Sequence, residues 1–228
     1  MKNIFPPSIA VIVAHPDDEA IGMGGTLLKF KNLGYKLHFL FMCDGVSARS
    51  QESTQKIRRN EEFEAAMDFL KPSTYKALDY PDNKLDTIPF LDIVKEIENF
   101  LKDVKPDSIF THFEGDLNID HRIVSQAVIT GSRPGSDTFV KNILQFEVLS
   151  STDRHLGAKR FNPNHYVDIT QFIDAKINYL KNYQSEMREF PHARSYENIV
   201  ALSHIRGAEI FTKNAEGFLM MRSVLDDK

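Results

Sequence analysis

The chain has 228 residues, 42% of them hydrophobic and 26% charged, with a net charge of −4 and a pI near 6.1. That balance is ordinary for a globular domain, and it offers no electrostatic attraction to nucleic acid or to an anionic membrane. The single cysteine, Cys43, excludes an intrachain disulfide. No apolar run approaches the roughly 20 residues of a membrane span and no signal segment is seen, so the expectation is one cytoplasmic domain over residues 1–228.

Apolar runs alternate with helical patterns along the chain. "SIAVIVAH" (8–15) is short, continuous and β-branched, which predicts a buried strand. A helix follows over about 20–32, with Gly34 where a left-handed C-terminal residue would sit. "KLHFLFMCD" (36–44) is a second strand, and it places Cys43 in the core. The spacing of Ile57, Phe63, Ala66, Met67 and Leu70 predicts a helix over 53–70, and "TYKALDY" (74–80) a weaker strand. Thr87 is the expected cap of a helix that carries Ile88 through Leu101 and ends before Pro106. "SIFTH" (108–112) is a strand, "IDHRIVSQAVIT" (119–130) a helix and "ILQFEVL" (143–149) a strand. Beyond it, "HYVDI" reads as a strand, "TQFIDAKINYLKNY" as a helix from Thr170, and "YENIVALSHIRG" as another helix. This order implies an α/β, Rossmann-like fold with a mostly parallel sheet and helices on both faces.

In such sheets, ligands bind beyond the carboxyl ends of the strands. Three places therefore carry weight: His15–Glu19, Asp44–Gly45 and the stretch from His112 to His121. Asp17, Asp18 and Glu19 are consecutive acids beside a buried strand, and they repel one another unless a cation or hydrogen bonds offset them. His15 and Asp18 are spaced i, i+3, so a turn entering a helix can aim both at one point. An imidazole and a carboxylate make a partial zinc set, and "NIDHRIV" supplies a third ligand in His121. Three ligands with an open position suit a catalytic metal. Asp17 then stands beside the site as a base for an attacking water, and Asp120 can orient a histidine. The bland alternative is that the acids only complement the start of a helix. "GMGG" (22–25) invites a dinucleotide reading, but Leu27 stands where a further glycine is needed. The glycines then let the helix approach the sheet or a substrate approach the backbone.

"AHPDDE" (14–19) with "DH" (120–121) resembles the PIG-L/LmbE-like superfamily of zinc-dependent N-acetylglucosaminyl deacetylases, which includes the deacetylases of mycothiol and bacillithiol biosynthesis. "DG" (44–45), Arg59 with Glu62, "KPDSIFTHFEGDLNIDHRIV", "RPGSD", "PHARSYENIVALSHIRG" and "AEGFLMMR" extend the likeness over nearly the whole chain. The resemblance implies hydrolysis of an acetamide on an amino sugar. It implies His15, Asp18 and His121 as zinc ligands, Asp17 as general base and Asp120 in support; the donor set of two histidines and a carboxylate would also accept iron(II) or cobalt(II). Many members carry a His where this chain has Asn118. An Asn amide can donate to an oxyanion but cannot shuttle a proton, so Asp17 or His192 is left as general acid.

Other residues carry alternatives that the sequence leaves open. Arg49, Ser50, Arg133, His192 and Arg194 are candidate substrate contacts, each against a solvated-loop reading. His112 is read as a packed strand end, Glu216 with Arg222 as a structural pair, and Glu19 as a helix-start charge or a group orienting a histidine. The competing functions are a related zinc hydrolase of another amide or ester, and a non-catalytic sugar-binding member of the fold. The expected partner is a small N-acetyl sugar. The sequence leaves the oligomeric state, a homo-oligomer included, open.

Overall fold

The computed structural model describes residues 8–43, 53–154 and 159–225. Asp44, Gly45, Arg49 and Ser50 lie outside the described residues. One seven-stranded sheet runs through the rest in the order β3-β2-β1-β4-β5-β7-β6. Its strands are β1 (Ser8–Val13), β2 (Lys36–Cys43), β3 (Thr74–Tyr80), β4 (Ser108–His112), β5 (Asn142–Phe146), β6 (His165–Asp168) and β7 (Ala215–Arg222). The first five in that spatial order pair in parallel, whereas β7 runs antiparallel to both β5 and β6. The helices are α1 (Asp18–Asn32), α2 (Ser53–Leu70), α3 (Phe90–Val104), α4 (Ile119–Gly131), α5 (Ile173–Leu180) and α6 (Tyr196–Ala208).

The unbroken apolar run of β1 has a structural cause. Val11 lies between Phe39 of β2 and Phe110 of β4, and both faces of the strand are covered. Ile9, Val11 and Val13 pack with α1, α2 and α5, while Ala10 and Ile12 pack with α3 and α4. A strand buried on both sides has no polar face, so its sequence does not alternate.

The chain winds outward from β1 to β3 and then crosses back to β4 on the other side of β1. The strand order therefore reverses at the carboxyl ends of β1 and β4, where doubly wound sheets open a crevice.

One expectation is corrected, and one segment left without an element gains one. The third helix starts at Phe90 and not at Thr87, which sits in a short 3-10 turn, Leu85–Thr87, with its hydroxyl donating to the Lys84 carbonyl. Pro89 pushes the preceding Ile88 into an extended conformation, so the helix can begin only beyond it. "AEGFLMMR", with no strand expected, forms β7 and fills the gap between β5 and β6. Gly34 does adopt the left-handed conformation, with φ +79.

Candidate active site

Beyond Val13 the chain turns sharply through Ala14, His15 and Pro16 into α1. The His15 N–H donates to Asp18 Oδ2 at 2.9 Å. Asp17 follows at φ 113, a left-handed conformation that a residue with a side chain seldom adopts. Its carbonyl accepts the Ala20 and Ile21 N–H groups and so starts the helix. On the neighbouring strand end, Asn118 caps α4 through Oδ1, which accepts from Asp120 N–H at 2.8 Å and His121 N–H at 3.4 Å. Two helix starts thus face each other across the crevice, each carrying a histidine and acids.

Three of the residues converge tightly. Ligand-type atoms of His15, Asp18 and His121 all lie within 4.8 Å of one another. Asp18 Oδ2 is 3.2 Å from His15 Nδ1 and 3.3 Å from His121 Nε2. The remaining nitrogen of each ring faces other carboxylates. His15 Nε2 is 2.9 Å from Asp82 and 3.1 Å from Asp120, and His121 Nδ1 is 3.3 Å from Asp116. Asp116 is fixed in turn by hydroxyl donation from Ser151 and Thr152. Asp120 also accepts the Asn83 and Leu85 N–H groups at 2.7 and 3.0 Å. Carboxylates that hold the far nitrogen set the tautomer and the ring plane of a metal-binding histidine.

The electrostatics are those of a site that draws positive charge. Burial disfavours a charged His121, yet Asp18 and Asp116 outweigh it and lift the ring to about 9. Burial works against a charged His15 as well, yet Asp120, Asp18 and Asp82 raise it well above the ordinary histidine value. Burial opposes a charged Asp18 too, but His121 and His112 overcome it and hold the carboxyl well below the usual carboxylate range. Burial pushes Asp17 the other way, up to about 6; Arg194 opposes this, while Asp18 and Glu186 add to it.

A divalent metal fits these residues. Asp18 Oδ1 and His121 Nε2 are buried and make no hydrogen bond among the described residues. Orphaned buried polar atoms are uncommon and call for a partner, and a cation between them would supply one. A second cluster, His15, Cys43 and Asp120, has comparable spacing. It suits a metal less well: burial pushes the Cys43 thiol up to about 12, and both Asp120 oxygens already accept backbone N–H groups.

Glu19, left without a task by its position in the sequence, has one in the structure. Its Oε1 accepts the hydroxyls of Tyr179 and Tyr183 at 2.7 and 2.9 Å, and its Oε2 accepts the Asp17 N–H at 3.1 Å. It thereby ties the turn that presents Asp17 to the last turn of α5 and the segment just after it. Arg194 Nη1 donates to Asp17 Oδ2 at 2.9 Å and to Glu186 at 3.1 Å, while its Nε donates to Ser150.

Above these groups lies a pocket of about 340 Å³ lined by Leu117, Asn118, Ser150, Glu186, His192 and Arg194, among others. The structure thus brings Asn118, His192 and Arg194 to the site. Arg133 it places elsewhere, exposed, with its guanidinium on Glu98 at 3.3 Å and on the Thr130 carbonyl. His112 is a packed strand end: Nε2 accepts the Ala14 N–H at 2.8 Å and the ring stacks on His121 at 3.9 Å. Glu216 and Arg222 do not pair. Glu216 binds Lys176, and Arg222 donates to the Ser132 and Val140 carbonyls.

Sequence reasoning passed over Asp82, Asp116 and Glu186. The first two had a usable signal, since each is an acid just past the end of a strand, as Asp17 and Asp18 are.

Comparison with known proteins bears on this geometry. A diacetylchitobiose deacetylase from Thermococcus kodakarensis is 26% identical over 196 residues, covering 79% of this chain and 70% of that protein. The structure of an N,N'-diacetylchitobiose deacetylase from Pyrococcus horikoshii, complexed with an inhibitor, superposes with a TM-score of 0.76 at 22% identity, covering 95% of this chain and 84% of that one. GalB, a 4-carboxy-2-hydroxymuconate hydratase from Pseudomonas putida, shares the fold with a TM-score of 0.74 at 19% identity, covering 97% and 99% of the two chains. The fold alone therefore does not name the reaction. The model of the PIG-L, GlcNAc-PI de-N-acetylase, family matches residues 10–131, which include His15, Asp17, Asp18, Asn118, Asp120 and His121. That match spans more than half of the chain, and the chain belongs to the PIG-L family.

Proposed function

We propose that this chain is a metal-dependent N-deacetylase that hydrolyses the acetamide of an N-acetylated amino sugar or its glycoside, with Asp17 as general base. The observation that carries this reading is the convergence of His15, Asp18 and His121 at the sheet's switch point with Asp17 beside them. His15, Asp18 and His121 would hold the metal. Zinc is the first candidate for two histidines and a carboxylate, and iron(II) and cobalt(II) suit the same donors. When bound, such a metal polarises an amide carbonyl and makes a nearby water more acidic.

The chain's own groups supply the proton transfers. Asp17 accepts a proton from the water that attacks the acetamide carbonyl carbon, and a carboxylate lifted to about 6 is matched to that task near neutral pH. Arg194 fixes the carboxylate by donating to Oδ2, so Asp17 meets the water from a defined side. Asn118 is oriented by its cap: with Oδ1 committed to α4, its amide N–H groups point away from the helix, one of them onto Asn83. The other N–H is suited to the developing oxyanion. As the C–N bond breaks, Asp17 returns its proton to the leaving nitrogen, giving acetate and a free amine. His192 is the weaker general acid. Burial and the charges of Arg154, Arg188 and Arg194 hold it below the ordinary histidine value, which disfavours the protonated form that a general acid needs. His192 and Arg194 line the pocket and are assigned to the sugar.

An assay of amine release across N-acetyl sugars, with and without chelator, tests the reading. Turnover that a chelator stops and added zinc restores is expected. Chelator-insensitive turnover would refute the mechanism. Hydrolysis of esters or other amides but of no acetamide would assign the same groups to a different hydrolase.

A further inference from the structure

Helix α1 is broken. Met23, at φ −144 and ψ 21, is not helical, so α1 is two half-helices, 18–22 and 24–32. Gly22 and Gly25 help to place the break. A Cβ on Gly22 would lie 2.2 Å from Phe146, and one on Gly25 would lie 2.8 Å from Ile169. At such a break the last carbonyls of the first half and the first N–H groups of the second lose their helical partners.

A buried ion pair fills the gap. Glu216 of β7 accepts the Gly25 and Thr26 N–H groups at 3.0 and 2.6 Å. Lys176 of α5 donates to the Ile21 carbonyl at 2.8 Å and to Glu216 at 2.6 Å. The signs match the half-helix dipoles, with a cation at the carboxyl end of one and an anion at the amino end of the other. Both residues are only 4% exposed. A buried ion pair is weak evidence for stability as such, because desolvation offsets most of its attraction. Its specific worth here is geometric. Lys176 shares a helical face with Tyr179, and Tyr179 and Tyr183 hold Glu19. The segment of α5 and the turn after it thus grips the half-helix 18–22 at both ends, at Glu19 and at Ile21.

We propose that Lys176 and Glu216 are positioning residues. Their ion pair in the break of α1 fixes the half-helix 18–22, and through it the placement of Asp17 and Asp18. Neither touches reacting atoms. The turnover arm of the test rests on the proposed function; the other two arms do not.

The test uses Glu216→Gln and Lys176→Met in the full chain, followed by zinc competition titration, amide hydrogen exchange and steady-state kinetics on an N-acetyl sugar. In folded variants, amides of 18–26 exchange faster while those of β1 and β4 match the wild type. Zinc affinity falls about 10- to 100-fold, in the range seen for lost supporting contacts. Per zinc-loaded molecule, kcat falls on the order of a hundredfold at unchanged KM, as expected when a reacting group is displaced by about an ångström. Should either variant fail to fold, Glu216→Asp, which keeps the charge and shortens the reach, is expected to give the same pattern. Wild-type zinc affinity and wild-type exchange over 18–26 in folded variants would overturn the proposal. So would faster exchange throughout the sheet with kcat per loaded molecule unchanged, which marks a purely structural pair. A wild type inert on every acetamide overturns the proposed function instead, and the zinc and exchange arms still decide this one.

Discussion

At the scale of single residues, Asp17 shows what the site requires. A left-handed backbone costs a residue with a side chain of order 1–3 kcal/mol and persists only where its surroundings enforce it. Here Glu19 takes its N–H, two amides of α1 take its carbonyl, and Arg194 takes its carboxylate. Asp17→Asn keeps the shape and, under the proposed function, removes the base. It is expected to bind metal at wild-type stoichiometry while kcat falls by roughly 10²–10⁴, and paired metal analysis and kinetics check this. Asp116 acts one step further out. Asp116→Asn leaves the His121 ring poorly oriented, and zinc affinity is expected to fall about 10- to 100-fold in a competition titration. The ligand roles proposed for His15, Asp18 and His121 could be framed from the sequence because imidazoles and a carboxylate at strand ends form a donor set that suits a metal. For Asp82 and Asp116 the sequence shows only an acid past a strand end, and for Glu19 only alternatives, not the group that each one holds. Each role depends on which ring nitrogen or backbone N–H faces the acid, and only the packed fold decides that.

At the scale of elements, the repeating pattern from β1 to β5 was readable because β1 and β2 are near-continuous apolar runs and the helices between the strands are bounded by Gly or Pro. What was not readable lies where two local signals compete or where pairing is remote. Thr87 has a capping hydroxyl, but Pro89 two residues later decides where α3 begins. β7 pairs antiparallel with a strand 72 to 79 residues earlier, which no local period reveals. The break in α1 is hidden for the same reason, since its hydrogen bonds are completed by Lys176 and Glu216. Gly22→Ala probes this region. Its Cβ would overlap Phe146, and overpacking of this kind costs about 1–3 kcal/mol. In a chain of this size that lowers the melting temperature by roughly 2–4 °C per kcal/mol, measurable by calorimetry.

At the scale of the molecule, function follows from where the sheet reverses. Acids gathered from the ends of β1, β3 and β4 meet at one crevice. Their mutual repulsion is eased by histidines, by arginines and, under the proposed function, by a bound cation. Binding to the folded chain alone links metal to stability. Zinc at about a hundred times its dissociation constant is expected to add about 2.7 kcal/mol, read as a rise in melting temperature that His121→Ala abolishes. A rise of the same size in His121→Ala would place the metal elsewhere. No helix among the described residues is long and apolar enough to cross a membrane.

The most direct test of the central claim is a single comparison of acetate release from an N-acetylated amino sugar. It sets metal-loaded wild type against the chelated protein, the zinc-restored protein and metal-loaded Asp17→Asn. The expected result is turnover by the loaded protein, loss on chelation, recovery with zinc and near-complete loss in Asp17→Asn despite full metal content. Turnover that survives chelation, or a fully loaded Asp17→Asn with wild-type kcat, would contradict it.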